Sequence, residues 1–196
     1  MPKPRPLRVV VLLSGSGTLL QAVLDAIKAG TLDAEIVAVG SDRTGAYGLE
    51  RARAIGIPTF VHPLRTGDDR VAWDVGLAEL VTSYHPGLVV SAGFMKLVGE
   101  GFLARFGDRF INTHPALLPS FPGAHAVRDT LAYGVKVTGC TVFVVDAGID
   151  TGRIIAQEPV EVEPGDTEDT LHERIKVVER RMLVGAIERF ATERTL

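Results

Sequence analysis

RVVVLLSGSGTLLQAVLDAIKAG, running from Arg8 to Gly30, is the stretch that decides the fold. Arg8 to Leu13 is a short continuous apolar run, the pattern of a strand buried on both faces. From Thr18 to Ala29, Leu20, Val23, Leu24 and Ile27 recur at helical spacing, and Gly30 stops the run. Between strand and helix lies Ser14-Gly15-Ser16-Gly17-Thr18. Glycines let the backbone turn sharply, and free N–H groups at the helix N-terminus face an anion. The spacing is neither the Rossmann G-x-G-x-x-G nor the Walker motif with its lysine. A nicotinamide cofactor or ATP therefore fits poorly, and a single phosphate monoester fits better. A tight turn with no ligand would need the same glycines.

The alternation continues outward. Ile36 to Val39 reads as a second strand, Ala46 to Ile55 as a helix ending at Gly56, and Pro58 to Val61 as a third strand. Asp68 to Ser83 reads as a third helix with Val71, Val75, Leu77 and Leu80 as its apolar face. Leu88 to Ser91 and Arg109 to Ile111 follow as strands. Such βαβαβ order predicts a parallel, doubly wound sheet with helices on both faces. Val137 to Val145 and Arg153 to Val162, with only a loop between them, read as a long hairpin. Thr167 to Thr192 is a long amphipathic helix, capped by Asp166 or Thr167 with Glu168 and Asp169 in its first turn. The fold class is thus α/β: one Rossmann-like, mostly parallel sheet, a C-terminal β-hairpin extension and a long C-terminal helix.

The chain has 196 residues, 46% hydrophobic and 23% charged, which fits a single domain. Net charge is −3 and pI about 6.0, so nothing suggests a nucleic-acid or membrane surface. The only cysteine, Cys140, excludes an intramolecular disulfide and a cysteine-only zinc site, and reads as a small buried hydrophobe. The start, MPKPRPLR, lacks the long apolar region of a signal peptide, and no run approaches a membrane span. A soluble, cytoplasmic protein is expected.

INTHPALLPSFPGAH, Ile111 to His125, carries the chemistry. Pro115, Pro119 and Pro122 exclude regular helix or central strand there. The segment reads as a rigid loop at the C-terminal end of a strand, where open α/β sheets bind ligands. Asn112 can donate two hydrogen bonds to an oxyanion, and His114 can donate or carry a proton. Equally, both can serve loop backbone groups.

Asn-x-His-Pro-x-Leu-Leu-Pro-x-aromatic-Pro-Gly resembles the signature of the folate-dependent formyltransferases. The form with Pro-Gly after the aromatic resembles those of purine synthesis that act on glycinamide ribonucleotide. The similarity runs from Ser14 to the C-terminal helix. It implies that the formyl group of 10-formyltetrahydrofolate is transferred to the amine of 5'-phosphoribosylglycinamide. Asn112, His114 and Asp150 form the implied catalytic set. Asn112 and protonated His114 stabilise the oxyanion, Asp150 orients His114, and the proton leaves the amine to Asp150 directly or by a water.

The implied phosphate site is Gly15, Ser16, Gly17, Thr18 and Leu19. The family usually has Ser and Asn where Thr18 and Leu19 stand, so Leu19 contributes backbone only. Bulk at Gly17 should block phosphate approach without touching the folate half. The implied folate site is Arg70, Met95, Lys96, Leu97, Val98, Asn112 and the turn around Asp146, an acid that also shapes that turn. Glu179 and His125 are implied substrate contacts. Ser120, Val127, Phe143 and Arg180 depart from common family residues, at the periphery. His62, His85 and His172 show no metal spacing, and no metal is expected.

The implied single formyltransferase domain spans 1–196, with a phosphate-binding half of about 1–105 and a folate and catalytic half of about 106–196. Its partners are the two small molecules, with no nucleic acid or membrane; monomer and homodimer both stay open. Methionyl-tRNA formyltransferases carry a further C-terminal domain and basic surfaces. Formyltetrahydrofolate hydrolases share Asn-His-Asp but usually bear an N-terminal regulatory domain. A non-catalytic phosphate-binding module explains the glycine turn and leaves Asn112, His114 and Asp150 coincidental.

Overall fold

The computed structural model describes residues 5–193; the first four residues of the proline-rich start and the last three residues lie outside the described residues. Seven strands form one sheet in the order β3-β2-β1-β4-β5-β6-β7. β1 (Leu7–Leu13), β2 (Ala34–Ser41), β3 (Thr59–Val61), β4 (Leu88–Ser91) and β5 (Phe110–His114) are mutually parallel. β6 (Val137–Val144) and β7 (Ile154–Glu161) are the antiparallel hairpin, attached to β5. Strand order reverses between β1 and β4, the switch point at which such sheets open a crevice beyond the strand ends.

Burial on both sheet faces explains the unbroken apolar runs. Val9, Val11 and Leu13 join a core with Leu20 and Val23 of α1 (Thr18–Lys28), Leu49 of α2 (Tyr47–Arg53) and the buried stripe of α6 (Glu168–Glu193). Val10 and Leu12 face a second core with α3 (Arg70–Ser83) and α4 (Glu100–Phe106). Each fully buried leucine or isoleucine contributes about 1.5–3 kcal/mol. α5 (Ala126–Tyr133) adds Val127 to the α1/α6 side. α6 is capped by Thr167, whose Oγ1 accepts the Thr170 N–H at 3.2 Å.

Three expectations need correcting. α3 buries Trp73, Asp74, Leu77, Ala78 and Val81, whereas Val71 and Val75 are exposed and Leu80 is half-buried. Residues 71, 75, 77 and 80 do not share one side of a helix at 3.6 residues per turn. Trp73, Leu77 and Val81 do, so of the expected face only Leu77 lies on the packed side. α4 was not anticipated: it has only seven residues, and its cap comes from a distant residue. The buried Asp74 accepts the N–H groups of Gly99 at 2.5 Å and Phe102 at 2.8 Å. Finally, β5 does not end at Ile111. It continues through Asn112, Thr113 and His114, so Asn112 and His114 stand on strand rather than in the loop. The antiparallel ladder with β6, pairing Asn112 with Phe143 and His114 with Thr141, extends it.

Candidate active site

Strand register lines up the site. Leu12, Ser91 and Asn112 are partners across β1, β4 and β5. His114 therefore stands two residues further on, level with Ser14 at the start of the glycine loop. With strands about 4.8 Å apart, His114 and the loop are about 10 Å from each other. Period two sends Asn112 and His114 to one face, beyond Phe110 and the α3/α4 core, and Thr113 to the other.

The glycine loop is held from behind by α2. Gly48 donates its N–H to Gly15 O at 3.0 Å, and Arg51 Nε donates to Ser16 O at 2.8 Å. With those carbonyls tied to α2, the N–H groups of Gly15, Ser16, Gly17, Thr18 and Leu19 have no protein acceptor among the described residues. No side chain among the described residues caps α1. Leu19 packs its side chain into the core, leaving only its backbone for a ligand. A cavity of about 730 Å³ borders Gly15 and Ser16, with Arg43, Tyr47 and Arg65 on its wall.

Gly17 cannot serve as the simple affinity probe expected of it. Its φ is +71°, and a Cβ there would lie 2.6 Å from Gly48 Cα. Gly17→Val should lose stability by forcing α1 and α2 apart. A Cβ on Gly15 meets nothing within 4 Å among the described residues. Gly15→Val is expected to keep its melting temperature and to weaken a phosphorylated ligand about ten- to a hundredfold, the loss of one or more hydrogen bonds to charge. Titration calorimetry alongside thermal melts separates the two variants.

His114 is buried and clamped at both ring nitrogens. Nε2 lies 2.8 Å from Phe121 O, which can only accept, so Nε2 carries hydrogen. Nδ1 faces Asp150 Oδ2 at 3.4 Å, and a proton on Nδ1 turns two facing acceptors into an ion pair. Asp150 Oδ2 also accepts the Gly123 N–H at 2.7 Å; Oδ1 has no protein donor among the described residues. Phe121 and Asp150 both hold left-handed backbone, φ +54° and +56°. Such conformations cost about 1–3 kcal/mol each and persist where their surroundings fix them. Here the Phe121 ring packs edge-on against Tyr133. The Asn112 carboxamide, half-buried on the same face, has no protein partner among the described residues.

Asp150 reaches His114 by an indirect route. β6 runs past Ile111, and Val145 N–H bonds Phe110 O, before the turn returns to His114. Within that turn Asp146 Oδ1 accepts from Gly148 N–H at 3.0 Å and Thr151 Oγ1 at 2.8 Å, the shaping role read from sequence. Gly152 is obligatory, since a Cβ there would lie 1.7 Å from Val144 O.

The segment after β4 completes one wall. Phe94, Val98 and Val145 pack on the α3/α4 core, while Met95, Leu97 and Ile149 leave their side chains exposed. Arg70 donates to Leu97 O and stacks over Trp73, so α3 grips this segment. Lys96 Nζ lies 3.9 Å from Asp42.

Glu179 is no solvated helix position: it sits in the buried stripe of α6, on the sheet face opposite His114. Thr113 Oγ1 donates to its Oε1 at 2.6 Å. Burial pushes its carboxyl up, opposed by the Thr113 bond and the charges of Lys176 and Arg180. His125 is exposed at the start of α5 and caps nothing with its side chain. Cys140 is buried, and burial pushes its thiol up. Sequence reading missed the Phe121 carbonyl, the Gly123 N–H and Thr113; only the prolines flanking Phe121 hinted at a fixed backbone there.

A Rossmann-like sheet holds Asn112 and the His114–Asp150 pair at the strand ends near a glycine turn, and the chain belongs to the formyl transferase family, whose sequence model matches residues 7–187. It is 54% identical over 192 residues to the phosphoribosylglycinamide formyltransferase of Mycobacterium tuberculosis H37Rv, covering 98% of this chain and 88% of that one. It is 38% identical over 188 residues to the Escherichia coli K12 enzyme of the same name, covering 96% and 89%. Among solved structures, glycinamide ribonucleotide transformylase 1 from Symbiobacterium toebii superposes with a TM-score of 0.94 at 45% identity, covering 98% of this chain and 91% of that one.

Proposed function

We propose that this chain transfers the formyl group of 10-formyltetrahydrofolate to the amine of 5'-phosphoribosylglycinamide, in purine biosynthesis. The observation that carries the reading is the unpartnered Asn112 carboxamide beside the clamped His114, level across three strands with an anion-ready loop. The phosphate lies on the N–H groups of Gly15 to Leu19. About 10 Å of sheet then separates it from His114, room for a ribose and a glycinamide arm. The pterin lies against Met95, Lys96, Leu97, Val98 and the turn at Asp146, with Arg70 at the outer end. The N-terminal half thus holds phosphate, and the C-terminal half supplies catalysis and part of the folate wall. Glu179 Oε2 and His125 contact the ribonucleotide.

The neutral amine attacks the formyl carbon, and the carbonyl oxygen takes the negative charge. Asn112 donates to that oxygen, and His114, protonated at Nδ1, adds positive charge nearby. Asp150 Oδ2 holds the imidazolium, while its free Oδ1 receives the amine proton, directly or through a water. Asp150, directly or through the same water, passes that proton on to the folate nitrogen as its bond to the formyl carbon breaks, which restores the carboxylate.

The enzyme acts in the cytoplasm on small molecules, without a nucleic-acid partner. Its net charge is −3, and among the described residues no helix is long and apolar enough to cross a membrane. A spectrophotometric assay of folate deformylation, with and without glycinamide ribonucleotide, tests the reading. Transfer needs the amine, a hydrolase does not, and a binding module releases no formyl group.

Glu179 should trade stability for affinity. A carboxyl raised by burial adds stability that is full below its ordinary pKa of 4.5 and is lost as pH rises through its folded value. Glu179→Gln still accepts the Thr113 hydroxyl but cannot ionise. It is expected to melt higher at neutral pH, with a flatter melting profile above pH 4.5, and to bind the ribonucleotide about tenfold more weakly. An unchanged ribonucleotide affinity would remove Glu179 from the site.

A further inference from the structure

We propose that Asp42, which touches no ligand in the reading above, is a positioning residue for the folate half of the site, acting through Ser14. Asp42 follows β2, and its side chain is 2% exposed. Its Oδ1 accepts the Ser14 hydroxyl at 2.5 Å; Arg43 Nε lies 3.7 Å and Lys96 Nζ 3.9 Å from Oδ2. A carboxylate can only accept, so the one Ser14 hydroxyl proton is committed to it. The Ser14 oxygen must then present a lone pair elsewhere, and it accepts the Met95 N–H at 2.8 Å. Ser14 N–H in turn donates to Gly93 O at 3.0 Å. Ser14 thus fastens residues 93–95 to the end of β1 at two points, and Asp42 fixes the direction of one of them. Lys96, next in the same wall, is drawn toward the same carboxylate.

The phosphate loop does not depend on this relay. Gly48 and Arg51 of α2 hold Gly15 and Ser16 from the other side. Losing Asp42 frees the Ser14 hydroxyl to rotate, so that nothing holds its lone pair on the Met95 N–H, and releases Lys96. The wall for the pterin loosens while the anion loop keeps its shape. A buried carboxylate is costly unless hydrogen-bonded and paired, and these partners are what the cost is set against.

The inference rests on the proposed folate-dependent reaction, and steady-state kinetics separates the two. Wild-type protein that moves no formyl group overturns the reaction itself. Given transfer, Asp42→Ala is expected to raise KM for 10-formyltetrahydrofolate about tenfold or more, with KM for the ribonucleotide within about twofold. The turnover number with both substrates saturating stays near wild type. Asp42→Asn, which keeps an acceptor for Ser14, recovers most of the folate KM. Ser14→Ala reproduces the Asp42→Ala defect, and the double variant is no worse, because both break one relay. An unchanged folate KM in both single variants overturns the proposal. So does an equal rise in both KM values with a lower melting temperature, the mark of a structural role alone. Should Asp42→Ala fail to fold, Asp42→Asn and Ser14→Ala carry the same test: Ser14→Ala must shift the folate KM selectively, with Asp42→Asn milder.

Discussion

Asn112→Ala is expected to lower kcat by about 100- to 1000-fold, the usual loss on removing one oxyanion donor. Stability should barely change. The carboxamide has no protein partner among the described residues, so its removal orphans nothing and breaks no hydrogen bond. Its backbone stays in the ladder opposite Phe143. Both KM values should move little, because the oxygen gains its charge only as the amine adds. Single-turnover rates at saturating substrates, alongside a thermal melt, give the result. Turnover within a few-fold of wild type would show that the amide does not face the reacting oxygen.

Asp150→Asn should lose about 100- to 10,000-fold in kcat, the range for a positioned acid or base. Asparagine suits this position because it tolerates the left-handed backbone that Asp150 adopts, where alanine would be strained. Its amide oxygen can still accept the Gly123 N–H. What it lacks is the charge facing His114 Nδ1 and the free oxygen for the amine proton. His114→Ala should lose as much and also melt lower, since it empties a buried site and leaves the Phe121 carbonyl without its donor. The double variant should be little worse than either single one, because the groups act as a unit. Additive losses would separate Asp150 from His114 and sink the clamp as a catalytic device.

What could be read along the chain was whatever neighbours in sequence decide. The apolar run of β1 announced two covered faces, and the glycines announced a tight turn before α1. Asn112 and His114 could be picked out because two residues of one type-specific motif lie side by side. The helical stripe of α6 was legible for the same reason, though nothing along the chain told that Glu179 within it is buried. The face of α3 was misread because its apolar residues outnumber those that pack. Its buried Asp74 has a reason only in α4, which too short a pattern concealed.

The sequence by itself determined the strand–helix alternation, the tight glycine turn before α1 and the family to which the chain belongs. These rest on periodicity and backbone preference, which act over a few residues. The resemblance implied that Asp150 meets His114, as it does; tertiary structure alone decided that Gly123 braces Asp150 from 27 residues away and that Thr113 meets Glu179 from 66. It also decided that Ser14 holds Met95 across 81 residues under the direction of Asp42. Such contacts have no local signature. A buried carboxylate or N–H takes whichever partner packing brings within about 3 Å, and that partner is set by strand order and register.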